Sequence, residues 1–149
     1  MAQAHLKPTF QEHARTLARA FDVRLIESEQ LRPEEALAIP PMRVVLCAPV
    51  TERMTYAVAL HEIGHVVAPL GALTGRVAGD RANLQRDEED AAWAWARHHA
   101  LEWTPDMDAV ARWAEGTYRT PPAAAPADPA PAPVVPKPVG QQIDWSRWK

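Results

Sequence analysis

This chain of 149 residues has one cysteine, Cys47. That scarcity excludes an intrachain disulfide and any zinc site built from several cysteines. No apolar run is long enough to cross a bilayer. The stretch Met1 to Pro8 lacks the apolar centre of a secretory signal. A cytoplasmic protein with no membrane partner is the expectation. Positive charge is short as well: 16 Lys and Arg stand against 19 Asp and Glu, a formal net charge of -3. Neither side of Thr120 carries the basic surplus that binding a phosphate backbone requires, so no nucleic-acid partner is expected.

Proline, by contrast, is abundant, and it is unevenly placed. From Pro121 to Pro138 the chain is nearly all Pro, Ala and Val. Such a stretch reads as an extended linker with polyproline character. The expected organisation is a folded unit over 1–119, a Pro/Ala-rich disordered linker over 120–140, and a short tryptophan-containing segment over 141–149. Trp145 and Trp148 lie three apart in that segment. They could dock a partner protein; the blander reading is a chain end with incidental aromatics.

Within 1–119 the pattern predicts a small α+β domain, mostly helical, with a few short strands. Thr9 and Glu12 form a capping box for a helix over 10–20. Strands are expected over 23–27 and 43–48, the second holding Cys47 as a buried thiol. Residues 29–41, broken by Pro33, Pro40 and Pro41, read as a connection. A second helix, capped by Thr51, should run to Ala68, where Pro69 stops it. Leu70 to Asp80 reads as a loop. A third helix should start near 84–87 and reach Trp103, and a fourth should span Pro105 to Glu115 with Gly116 as its stop.

The second helix carries His61-Glu62-Ile63-Gly64-His65, an H-E-x-x-H motif. Residues four apart share a helix face, so the two imidazoles converge while the glutamate stands beside them. That arrangement suits two ligands of Zn2+ and a general base for a water. Ala57 to Leu60 and Val66 to Ala68 flank the motif without a single charge, so the helix is expected to be buried. Buried imidazoles and carboxylates need partners, and a metal would satisfy them together. Gly64, costly inside a helix by about 1 kcal/mol against alanine, hints that another segment packs close to it. Tight packing without any metal explains that glycine equally well.

A third ligand is required. Ala68 and Gly71 occupy the places where a longer histidine motif would continue, so a third histidine is excluded there. Asp87, Glu88, Glu89 and Asp90 are the acidic candidates on the next helix. Ala92, Trp93, Ala96, Ala100 and Trp103 form one apolar stripe, and Glu89 lies on it. Glu89 is therefore the expected ligand and Glu88 its competitor; the helix dipole is enough to explain Asp87 and Asp90. His98 should be exposed, His99 should lie at the edge of the stripe with a possible part in substrate binding, and His5 and His13 should be surface residues.

The two motifs together, H-E-I-G-H and the E-x-x-A-W-x-W-A of Glu89 to Ala96, resemble the small ImmA/IrrE-type zinc metallopeptidases, chiefly compact phage-encoded members. The resemblance spans about Phe10 to Trp113. It implies a thermolysin-like, gluzincin-like core with a small sheet beside the active-site helix. It also implies His61, His65 and Glu89 as zinc ligands, Glu62 as catalytic base, and a protein or peptide substrate such as a repressor-type regulator. Tyr56, Arg97, His99 and Tyr118 are of the right types to stabilise an oxyanion. The alternative is a metal-stabilised interaction module with little proteolysis, and a third reading has no metal at all.

Overall fold

The computed structural model describes residues 7–68 and 81–119, with side chains described over 7–68 and 85–116. The expectations for His5, for the loop over 70–80, for the Tyr118 side chain, for the linker and for the tryptophan segment lie outside the described residues. Among the described residues, four α-helices and a three-stranded sheet make a mixed α+β domain.

Helix α1 spans Phe10–Ala20. The Glu12 N–H donates to Thr9 Oγ1 at 3.2 Å, and the Thr9 N–H donates to the Glu12 carboxylate at 2.8 Å. Two otherwise unsatisfied donors are thus paired at the helix start. Strand β1 (Arg24–Glu27) follows, then β2 (Leu37–Ile39) and β3 (Val44–Cys47). The sheet order is β1-β3-β2, with β1 parallel and β2 antiparallel to β3. The apolar run Val44-Val45-Leu46-Cys47 belongs at the centre because both of its edges are paired and most of its side chains are buried.

Strand β2 corrects the expectation of an irregular connection over 29–41. It has only three residues between prolines, and Ala38 faces Val45 across the pair. Its pairing comes from β3, not from any local pattern.

Helix α2 spans Arg53–Val67, α3 Arg81–His99 and α4 Pro105–Arg119. Glu52, rather than Thr51, is the N-cap of α2, and its N–H donates to Thr55 Oγ1 at 3.2 Å. Helix α3 stops four residues short of Trp103. There the Leu101 N–H leaves the helical ladder and donates to the Tyr56 hydroxyl at 2.9 Å. Helix α4 runs past Gly116, which is exposed with open space around it.

Helix α2 is the hub. It packs on α1, α3, α4 and on strands β2 and β3. Tyr56, Leu60 and Ile63 from α2 meet Val45 and Cys47 from β3, Trp93 and Ala96 from α3, and Met107 and Val110 from α4 in one core. Tyr56 is fully buried; its hydroxyl lies 2.7 Å from His13 Nδ1, and its ring stacks on Phe10. His13 is thus half-buried against α2, not a free surface residue as its sequence position suggested. Among the described residues, no helix is long and apolar enough to cross a membrane.

Candidate metal centre

The site begins with a close helix crossing. A Cβ placed on Gly64 would lie 2.7 Å from the backbone oxygen of Ala92 and 3.0 Å from its Cα. Only a residue without a side chain lets α2 and α3 approach so far. His61 and His65 flank Gly64 on α2, and Glu89 precedes Ala92 by three residues on α3. The crossing therefore brings the carboxylate onto the imidazoles.

The distances are short. His61 Nε2 and His65 Nε2 are 3.0 Å apart. Glu89 Oε2 lies 3.1 Å from the first and 3.4 Å from the second. These three residues can offer ligand atoms that all lie within 4.8 Å of one another. Of the two competing acids, Glu89 has this place. Glu88 borders the adjoining cleft, and its charge favours protonated His65.

The electrostatics follow from burial and crowding. Burial lowers the pKa of His61 and outweighs the opposing pull of Glu89. For His65, burial also acts downward, but the hydrogen bond and charge of Glu89, with Glu62 and Glu88, raise the pKa overall. Glu89 would be raised by burial, yet the hydrogen bonds and charges of the two histidines hold it down at about 2. It is an anion at any ordinary pH. Glu62 is raised, mainly by burial and further by the Glu89 charge, against His65 and a backbone hydrogen bond from Ala38.

Two imidazole nitrogens and an ionised carboxylate are a donor set that suits zinc. The buried position also fits: His61 is 6% exposed, and its Nε2, like that of His65, faces the Glu89 carboxylate. The residues present thus fit a metal ion.

An open cleft of about 400 Å³ adjoins these groups. Ala36, Leu37 and Ala38 line it together with Glu62, His65 and Glu89. Strand β2, absent from the sequence reading, is therefore part of the site; a three-residue run between prolines gave no usable signal. In the sequence Trp93 stands out only as a member of the apolar stripe and of the E-x-x-A-W-x-W-A motif. Its spacing of four from Glu89 was the available clue that it shares the ligand face.

The three described candidates for oxyanion stabilisation are committed elsewhere. Arg97 Nε lies 3.3 Å from Asp108 Oδ1, and the arginine also pairs with Glu115. His99 Nδ1 bonds the Trp95 carbonyl at 2.9 Å, and its ring stacks on that indole. The Tyr56 hydroxyl is shared between His13 and Leu101. None of the three borders the cleft. His98 is exposed, as its place opposite the stripe implied.

No protein-family model matches this chain, and no curated protein or solved structure matches it significantly. The likeness to the ImmA/IrrE-type peptidases accordingly rests on the residues of α2 and α3 alone.

Proposed function

We propose that this chain is a zinc-dependent metallopeptidase of ImmA/IrrE-like type with a minimal zincin-like fold. One observation carries the reading: His61, His65 and Glu89 converge from two helices while Glu62, on the same turn as the histidines, faces an open cleft. His61, His65 and Glu89 would hold the zinc, which when bound would supply an acidified water and Lewis acidity toward a peptide carbonyl. Glu62 takes the proton from the attacking water as general base and hands it to the leaving amine. Burial raises its pKa in the metal-free site, and a more basic carboxylate accepts that proton more readily. Strand β2 lies at the sheet edge along the cleft, where an extended peptide can lie beside it. A protein substrate follows, and a regulatory protein such as a repressor is the target that the family likeness favours.

Zinc analysis and peptide-library cleavage with Glu62→Gln test this. The protein, purified without a histidine tag, should hold close to one equivalent of zinc. The Glu62→Gln variant should keep that zinc and lose cleavage by about two orders of magnitude or more. Undiminished cleavage by the variant would overturn the mechanism. Full zinc with no cleavage of any library by the wild type would favour the interaction module instead.

A further inference from the structure

A histidine that binds a metal through one nitrogen normally donates its other N–H to a carboxylate or carbonyl, which fixes the tautomer and the tilt of the ring. Among the described residues, His61 has no such partner. Its Nδ1 is buried with no hydrogen bond to any of them, while its Nε2 faces Glu89 and His65. Something else must hold the ring.

The indole of Trp93 lies against it. The two ring centroids are 3.9 Å apart and the planes are inclined by 24°, a nearly parallel stack. Trp93 is 2% exposed, and Trp103 abuts it edge-on at 6.4 Å. Among the described residues the indole Nε1 has no hydrogen-bond partner either, so no polar contact with them accounts for its placement. Trp93 is on α3 one turn beyond Glu89. The helix that supplies the carboxylate therefore also supplies a platform for the imidazole. His65, by contrast, meets His61 edge-on and is more exposed.

We propose that Trp93 is the positioning residue of this centre, its indole face holding the His61 imidazole with Nε2 toward Glu89 in place of the hydrogen bond that Nδ1 lacks. The inference rests on the metal reading above. Its physical basis is twofold. Stacking between packed helices removes the rotation of the imidazole about χ2 before any metal arrives. An imidazole that donates its lone pair to a cation also gains positive character, which the electron-rich indole face favours.

The test compares Trp93→Leu and Trp93→Phe with the wild type in the full chain. Zinc affinity is read by chelator competition, and folding by circular dichroism and thermal melting in chelator. Trp93→Leu fills much of the space without a ring face, and should bind zinc roughly 10- to 100-fold more weakly, the loss typical of an outer-shell partner. Trp93→Phe keeps a ring face and should recover most of that loss. A folded Trp93→Leu protein that binds zinc as tightly as the wild type would overturn the inference and leave the metal reading intact. A wild type that binds no zinc would overturn both.

A second readout does not depend on the leucine variant folding. One equivalent of Co2+ should quench a share of the tryptophan emission in the wild type that is missing from Trp93→Phe. Equal fractional quenching in the two proteins would place the indole away from the metal and overturn the inference.

Discussion

Glu88 and Glu89 are neighbours with the same chemistry, and one rotation of the helix separates their fates. Glu89 Oε2 is within 3.4 Å of both imidazole nitrogens, whereas Glu88 only borders the cleft. Glu89→Gln keeps the size and removes the charge. It should weaken zinc binding by more than the roughly 10- to 100-fold typical of an outer-shell partner. Glu88→Gln should leave it nearly unchanged; equal losses in the two variants, measured by chelator competition, would refute the assignment. Glu27 is a second carboxylate with a defined duty. It accepts from Gln11 Nε2 at 2.9 Å, from Arg15 Nε at 2.8 Å and from the Val50 N–H at 2.9 Å, tying α1 to β1 and to the approach of α2. Burial pushes its pKa up, but these bonds and the Arg15 charge together bring it below the ordinary 4.5. A carboxylate with a depressed folded value stabilises the fold above its unfolded pKa and loses that effect as pH falls through the folded one. Glu27→Gln should therefore cost about 1–2 kcal/mol at pH 7 by denaturant melts. The gap from wild type should narrow below pH 4.5, and a gap that is constant or widens in acid would contradict this.

At the scale of helices and strands, Gly64 decides how close α2 and α3 come. Alanine there gains about 1 kcal/mol of helix propensity. It also drives a methyl group to 2.7 Å from the Ala92 oxygen, a backbone atom that cannot step aside. Overpacking of that kind costs about 1–3 kcal/mol, so Gly64→Ala should be net destabilising and should weaken zinc binding as Glu89 moves off. Gly116→Ala in α4 is the control. It meets nothing within 4 Å and should be neutral or stabilising by up to about 1 kcal/mol. If both variants melt alike, the close crossing is not what that glycine serves. The same contrast explains what was legible in the sequence. Helix α1 was readable over 10–20 because its cap and its stripe are local. The buried character of α2 was readable from its uncharged flanks. The true end of α3 was not, because it is set by the Tyr56 hydroxyl 45 residues away in the chain. The end of α4 was misread because an exposed glycine costs a helix too little to stop it.

For the molecule as a whole, the residues of the proposed site are more legible in the sequence than the frame that presents them. His61, Glu62, His65 and Glu89 could be named from helical spacing, whereas the cleft beside them depends on β2 pairing with β3, a contact that no local pattern encodes. That frame is small. The buried core among the described residues runs from Ala14 to Ala111, and α2 with α3 supplies a large part of it. The proposed metal would join those two helices at His61, His65 and Glu89, with Glu62 beside them. Zinc should therefore act on the stability of the entire domain, not on the cleft alone. A ligand that binds only the folded state stabilises it by about 2.7 kcal/mol at 100 times its dissociation constant. In a domain near 100 residues, each kcal/mol moves the melting midpoint by roughly 4–8 °C. Zinc at that saturation should thus raise the midpoint by about 10 °C or more over protein in chelator. The shift should vanish in a His61→Ala, His65→Ala double variant. Identical melting of the wild type in zinc and in chelator would show that α2 and α3 are joined by hydrogen bonds and packing alone.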